Sequence, residues 1–148
     1  MSKRIFATQA SLIKALAHPT RLEIIHLLRT HSLTVGQITQ MLGVRQAYVS
    51  QQLLILKQAK VVRARRAGKE IYYEIHDQRI VAACDNLHSL VTEKNLPASP
   101  EPIVVDPVCG MKLTPGTASY TDGYNGIRQY FCGKGCLKEF NISHKGAV

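Results

Sequence analysis

The sequence lacks any apolar run of the roughly 18 residues that a membrane-spanning helix requires. Its opening stretch, MSKRIFATQA, begins with basic side chains but lacks both the long apolar core and the small-residue cleavage site of a secretion signal. These two absences predict a cytoplasmic protein with no membrane segment. A length of 148 residues favours one ordinary domain or two small ones.

Cysteine is scarce, with four residues in the chain. Because the cytoplasm keeps thiols reduced, these cysteines favour metal or redox chemistry over a disulfide framework. The sequence also lacks a nucleophile–base pair, a phosphate-binding loop and a plausible carboxylate pair. We therefore expect a protein that is not an enzyme.

Acidic side chains are few, with 10 Asp and Glu against 19 Lys and Arg and a net charge of +9. The excess of positive charge lies mostly in residues 1–95. Residues 45–69 contain no acid and seven basic side chains: Arg45, Lys57, Lys60, Arg63, Arg65, Arg66 and Lys69. Such a cluster is either a solvated surface or a phosphate-binding face. The pattern around it favours the second interpretation.

The segment NLPASPEP, residues 95–102, has three prolines and no apolar periodicity, which is typical of an extended linker. It predicts a domain at 1–94, a linker at 95–103 and a small module at 104–148. In the first domain, Pro19 predicts a helix start, Thr34 a helix cap, Gly43 a helix end and Asp77 another cap.

Residues 45–75 predict a longer helix followed by a β-hairpin that turns near 67–69. Two helices joined by a tight turn and followed by a basic hairpin form a winged helix-turn-helix. The predicted fold class is therefore α+β. Val49, Leu53 and Leu56 would form the core face of the recognition helix.

The opposite face of that helix offers polar side chains to base edges in the major groove, and the hairpin offers cations to phosphates. The predicted contacts with double-stranded DNA are Arg45, Gln46, Tyr48, Ser50, Gln51, Arg63, Arg65, Arg66 and Lys69.

Two stretches, ALAHPTRLEIIHLL and VSQQLLILKQAKVVRARRAGKEIYYEI, resemble the ArsR/SmtB family of bacterial repressors over residues 8–94. The resemblance implies a homodimer and operator binding that an inducer, often a metal ion, relieves. The implied dimer contacts are Leu12, Leu16, Ile80, Cys84, Leu87 and Val91. Two residues depart from the family pattern: Gln52 replaces a common His, and Lys60 replaces a common Gly.

The recurring inducer sites of that family are missing from residues 1–94. The short helix before the recognition helix has no cysteine, and the last helix has Arg79 and Leu90 where metal-binding histidines would stand. Cys84 has no second cysteine in this domain to form a dithiol. Cys84 and His88 lie four residues apart, but Cys84 also fits an apolar stripe, so a buried structural role is favoured.

The terminal module has its cysteines in a C-x22-C-x3-C pattern, and DPVCGM followed by YNGIRQYFCGKGCLKEF resembles the YHS domain over about 104–143. The TRASH motif has related spacing. The resemblance implies metal binding by Cys109, Cys132 and Cys136. A hairpin turning at Asp122-Gly123 or Asn125-Gly126 would deliver Cys132, and Cys136 would lie in the first turn of a helix.

Three thiolates suit soft metals. Cu(I) is favoured, and Ag(I), Hg(II) and As(III) are alternatives. Zn(II) prefers a fourth ligand, which Asp106, His144 or solvent would supply; Met111 is a further soft donor. Since a domain of this size has little core, a structural zinc knuckle remains an alternative.

These patterns together predict a metal-responsive repressor that binds operator DNA as a dimer and is released by a soft metal ion. A thiol redox or persulfide sensor on the same DNA-binding domain is one alternative. A metal-buffering protein is the other.

Overall fold

The structure, a computed structural model, describes residues 2–92 and 101–146. These residues form two compact units, one built mainly from the N-terminal helices and the other mainly from the C-terminal strands and helix. Most of the linker predicted at 95–103 lies outside the described residues. In the two described ranges, no helix has the length and hydropathy of a transmembrane span.

The N-terminal part of the chain contains five helices, and capping bonds confirm two of the predicted helix starts, those at Thr34 and Asp77. Thr34 Oγ1 accepts from the Gln37 amide at 3.2 Å while Gln37 Oε1 accepts from the Thr34 amide at 2.9 Å, a reciprocal capping box. Asp77 Oδ1 accepts from the Arg79 amide at 2.9 Å. Gly43 follows the third helix with φ +67°. The helices are α1 (Lys3–Leu16), α2 (Pro19–Leu28), α3 (Val35–Leu42), α4 (Gln46–Gln58) and α5 (Gln78–Thr92).

Three antiparallel strands complete this part: β1 (Leu33–Thr34), β2 (Val62–Ala67) and β3 (Glu70–Ile75), in the order β1-β3-β2. The β2–β3 hairpin pairs Ala67 with Glu70, so its turn has two residues, and Gly68 has φ +63°. The predicted wing is therefore confirmed, and α3, α4 and the wing have the chain order of a winged helix-turn-helix.

The core of the first unit holds the apolar face of α4 in place. Val49 and Leu56 have no exposed surface and Leu53 has 1%, which confirms the predicted core face. Burial of three such side chains stabilises the fold by about 1.5–3 kcal/mol each. The opposite side of α4 is therefore the exposed one.

The second unit contains two small antiparallel sheets and one helix. Its elements are β4 (Val104–Val105), β5 (Lys112–Leu113), β6 (Tyr120–Tyr124), β7 (Ile127–Phe131) and α6 (Lys134–Lys145). The β6–β7 hairpin turns at Asn125 and Gly126, whose φ angles are +51° and +76°. The Asn-Gly alternative for this turn is thus confirmed, and the Asp122-Gly123 alternative is wrong because both residues lie within β6.

Aromatic side chains form the small core of this unit. The rings of Phe131 and Phe140 lie 5.2 Å apart, and Tyr124 meets Phe140 edge-on at 5.6 Å. Phe131 and Phe140 are buried, whereas Tyr130 is half-buried. This core packs β6 and β7 against α6, so it supports the end of β7, which Cys132 follows, and the first turn of α6, which contains Cys136.

Candidate metal centre and nucleic-acid interface

The three cysteines predicted to bind metal are brought together from different segments. Cys109 lies in the turn between β4 and β5, Cys132 directly follows β7, and Cys136 lies in the first turn of α6. The Sγ atoms of Cys109 and Cys132 are 3.5 Å apart, and those of Cys132 and Cys136 are 3.6 Å apart. The Cys132 and Cys136 side chains are buried and Cys109 is exposed.

These sulfur separations fit a common ion. Two thiolates with metal–sulfur bonds of about 2.3 Å and a tetrahedral angle lie about 3.8 Å apart, so small shifts of the side chains suffice. One group of four side chains in the described residues has all its ligand atoms within 4.8 Å of one another: Asp106, Cys109, Cys132 and Cys136. The donor set is thus three soft sulfurs and one hard carboxylate.

The protonation of the three thiols is unequal. Hydrogen bonds from the Cys132 and Cys136 thiols lower the pKa of Cys109. The pKa of Cys132 is raised, mainly by its contact with Cys109, and the pKa of Cys136 is raised for the same reason. Of the three thiols, Cys109 therefore loses its proton most readily, because its pKa is lowered and the other two pKa values are raised. Metal binding must displace the protons of Cys132 and Cys136.

Asp106 connects the segments that carry Cys109 and Cys132. Its side chain is 1% exposed. Oδ1 accepts from the amides of Val108 at 2.8 Å and Cys109 at 3.3 Å, and Oδ2 accepts from the Cys132 amide at 2.7 Å. The sequence alone predicts Asp106 only as a fourth ligand. Its position before Pro107 is a signal for an Asp side chain that bonds the backbone two residues on.

The two further donors suggested from sequence have other contacts. Met111 is buried, and its carbonyl oxygen accepts from the Asp106 amide at 2.9 Å. His144 stacks on Phe140 with ring centroids 4.1 Å apart, and its Nδ1 donates to the Phe140 carbonyl at 3.1 Å. His144 is not part of the four-residue group, so its ligand role stays a prediction.

The exposed face of α4 carries most of the predicted base contacts. Gln46, Ser50 and Gln51 are exposed, as is Arg45 just before the helix. Tyr48 differs because it is half-buried and its hydroxyl lies 3.2 Å from Thr20 Oγ1 at the start of α2. This contact ties Tyr48 to the body of the unit, and its role in DNA binding stays a prediction.

One acid, Glu74, which is not among the site residues predicted from sequence, partly neutralises the wing arginines. Glu74 on β3 accepts from Arg63 Nε at 2.8 Å and lies 3.7 Å from Arg65 Nε. Ser32 also donates to Glu74, and these contacts lower its pKa. Arg66 and Lys69, nearer the turn, are exposed. The alternation of charge along β2 and β3 was the available signal, since Arg63 pairs directly with Glu74 in register.

Gln52 was singled out as a departure from the family pattern, and its place in α4 shows what it does. It is 7% exposed and its Oε1 accepts from Arg21 Nη1 at 2.9 Å. Arg21 Nε also donates to the Ala15 carbonyl at 2.5 Å. One guanidinium thus joins the last turn of α1, the first turn of α2 and the middle of α4.

The residues predicted at a dimer interface occupy one side of α1 and α5. Leu87 and Val91 are 59% and 84% exposed, while Leu12, Leu16, Ile80 and Cys84 are half-buried. Burial of Cys84 raises its pKa, and so does the nearby Asp85. Exposed apolar side chains at helical spacing are typical of an interface, and their pairing with a second copy stays a prediction.

Comparisons with known proteins match both parts of the chain. Residues 18–64 match the family described as "Bacterial regulatory protein, arsR family", and residues 104–144 match the YHS domain. The biofilm growth-associated repressor of Agrobacterium fabrum is 36% identical over 99 residues, which cover 65% of this chain and 83% of that protein. The transcriptional repressor PagR of Bacillus anthracis is 43% identical over 72 residues, which cover 48% and 72%.

Among solved structures, the homodimeric winged helix-turn-helix domain of a possible ArsR-family regulator from Mycobacterium bovis is similar, with a TM-score of 0.58 and 27% identity. The match covers 69% of this chain and 97% of that one.

Proposed function

Because the chain belongs to the ArsR family of bacterial regulatory proteins and carries a YHS domain, we propose that it is a metal-responsive transcriptional repressor. It binds operator DNA as a homodimer, and a soft metal ion at Cys109, Cys132 and Cys136 lowers its DNA affinity. The prediction that it is not an enzyme is confirmed, since its relatives are DNA-binding repressors.

The convergence of three sulfurs is the observation that carries this proposal. Two segments separated by 22 residues bring Cys109 within 3.5 Å of Cys132, and Cys136 lies 3.6 Å from Cys132. Thiolates in this number and spacing are suited to a thiophilic ion. Cu(I) is the proposed inducer because it is soft and accepts three sulfur ligands without a fourth.

The proposed DNA contacts follow the exposed face of α4 and the tip of the wing. Gln46, Ser50 and Gln51 would meet base edges, and Arg66 and Lys69 would meet phosphates. The proposed domain boundaries are 1–94 and 104–148, so the DNA-binding and metal-binding functions reside in different parts of the chain. Metal binding and DNA binding must then be coupled reciprocally.

The test is a fluorescence-anisotropy titration of the full chain onto DNA from upstream of its own gene, under anaerobic reducing conditions. We expect one equivalent of Cu(I) per protomer to weaken binding at least about tenfold, which corresponds to about 1.4 kcal/mol of coupling. The same DNA titrated with metal-free protein gives the reference affinity.

Cys109→Ser and Cys84→Ser form a matched pair of controls, because each removes one thiol and only Cys109 belongs to the sulfur cluster. We expect Cys109→Ser to abolish the response to Cu(I) and Cys84→Ser to retain it. Tight DNA binding that Cu(I) leaves unchanged in the parent chain would overturn copper derepression.

The close thiols also favour a second candidate, a repressor that senses oxidants or persulfides. The Cys109 sulfur lies 3.5 Å from the Cys132 sulfur, so a modest movement permits an oxidant to form a disulfide between them. This candidate predicts that hydrogen peroxide or a polysulfide weakens DNA binding in chelator-treated protein. Retention of that response without metal would favour it over metal sensing.

A further inference from the structure

A buried carboxylate that accepts three backbone hydrogen bonds lies beside the three sulfurs. Asp106 accepts three amide hydrogen bonds, two at Oδ1 and one at Oδ2. Its own amide donates to the Met111 carbonyl and its carbonyl accepts from the Gly110 amide, both at 2.9 Å. Every polar group of this residue therefore has a partner within the polypeptide.

These bonds link the two sulfur-bearing segments. The Oδ1 bonds fold the β4–β5 turn, which carries Cys109, and the Oδ2 bond reaches the amide of Cys132, 26 residues further along the chain. The Cys132 amide is the point where the chain leaves β7 for the helix that carries Cys136. A charged acceptor strengthens such bonds relative to neutral ones, so Asp106 fixes the spacing of Cys109 and Cys132.

We propose that Asp106 is the positioning residue of the metal site rather than a ligand, and that it restricts the bound ion to three sulfur ligands. This proposal rests on metal binding at the three cysteines, as proposed above. For Asp106 to bind the ion, its carboxylate would have to move from the position that the amides of Val108, Cys109 and Cys132 fix. Ions that are satisfied by three thiolates, such as Cu(I), are therefore favoured over Zn(II), which prefers four ligands.

Asp106→Asn and Asp122→Asn test the proposal as a matched pair in the full chain. The first substitution leaves an oxygen for the turn amides but loses an acceptor and the charge facing Cys132. The second removes the same charge from an exposed ion pair with Lys145. We expect Asp106→Asn to lower Cu(I) affinity about 10- to 100-fold in competition with a Cu(I) chelator, as loss of residues that orient ligands does elsewhere. Asp122→Asn should change it less than about twofold.

X-ray absorption spectroscopy of the Cu(I) forms supplies the readout that separates positioning from ligation. We expect three sulfur neighbours and no oxygen neighbour in both the parent and Asp106→Asn. An oxygen neighbour that is present in the parent and absent in Asp106→Asn would overturn the proposal. Unchanged Cu(I) affinity of a folded Asp106→Asn variant would overturn it as well.

Hydrogen exchange at the Cys132 amide keeps the proposal testable even if Asp106→Asn does not fold. We expect this amide to be protected in the parent chain both without metal and with Cu(I), because Asp106 holds it in both states. Loss of protection on Cu(I) binding would indicate that Asp106 has moved to the ion and would overturn the proposal. None of these measurements involves DNA, so a failure of repression and a failure of this inference are distinguishable.

Discussion

At the scale of single residues, Lys60 adopts a backbone conformation that normally belongs to glycine. It follows α4 with φ +59°; its amide donates to the Lys57 carbonyl and the next amide, of Val61, donates to the Leu56 carbonyl. This is the Schellman arrangement at a helix end, in which the left-handed residue is usually Gly. The departure noted in the sequence therefore leaves the turn intact but places a side chain where one is strained.

We expect Lys60→Gly to stabilise the protein by about 0.5–1 kcal/mol. Relief of the left-handed strain exceeds the entropy that the unfolded chain gains from a glycine. Urea denaturation measures the difference. Lys57→Gly, which makes the same substitution inside α4, should instead destabilise by about 1 kcal/mol. A loss of stability in both variants would contradict the argument.

Glu74 partly neutralises the positive charge of the wing, because it pairs with Arg63 and lies near Arg65. We expect Glu74→Gln to tighten binding to non-operator DNA and to make the slope of log K against log salt steeper by about one unit per added phosphate contact. Anisotropy titrations at several salt concentrations give both quantities. Glu139→Gln, which removes an acid from α6, is the control for net charge. A salt dependence that is unchanged in Glu74→Gln would show that the arginines do not reach phosphates.

At the scale of elements, a residue that does not face the exposed side joins α4 to α1 and α2. Gln52 accepts from Arg21, which also bonds the last turn of α1. We expect Gln52→Ala to lower stability by about 1–3 kcal/mol, because the guanidinium loses a partly buried partner. We expect operator affinity to fall as well, since α4 loses a fixed contact with its support.

Gln51→Ala is the matched control, since Gln51 is adjacent and exposed. It should leave the urea midpoint unchanged and weaken operator binding. If Gln52→Ala were as stable as the parent chain, the hydrogen bonds through Arg21 would not contribute to the stability of the fold.

Elements with a local signal could be predicted, and elements without one could not. Pro19, the Thr34 cap and the Asn125-Gly126 turn act over a few residues, so the sequence alone indicates them. The strands β4 and β5 were missed because each has two residues and no periodicity. Helix α1 begins at Lys3, and its first turns contain only Ile5 and Phe6 as large apolar side chains, too few to establish a helical period.

The residues of the candidate sites also differ in whether a local sequence pattern predicts them. The spacing of Cys109, Cys132 and Cys136 was visible in the sequence because the pattern is specific to a known domain. The contact of Tyr48 with Thr20 was not predictable, since it joins residues 28 positions apart through tertiary packing. The same holds for the bond between Asp106 and Cys132.

At the scale of the whole molecule, the two units should respond differently to metal removal. The C-terminal unit has a small core, so a bound ion would supply much of its stability. At a free Cu(I) concentration of 100 times the dissociation constant, binding adds about 2.7 kcal/mol. We expect chelation to speed hydrogen exchange in residues 120–140 and to leave residues 46–58 little affected, as measured by mass spectrometry.

Cys109→Ser should behave as the chelated parent does, whereas Cys84→Ser should still be protected by Cu(I). Equal acceleration of exchange in both segments would show that the two units open as one and would contradict this prediction.

The uneven exposure of the sulfurs has a consequence for the path that an ion takes. Cys132 and Cys136 are each 1% exposed, whereas Cys109 is open to solvent. A metal carried by a small thiol or by a donor protein must pass from sulfur to sulfur, and Cys109 is the first sulfur it can reach. Arrival and departure would both proceed through this one residue. The lifetime of the metal-bound state, and with it the duration of the response, would therefore depend on how easily the β4–β5 turn, which carries Cys109, can move.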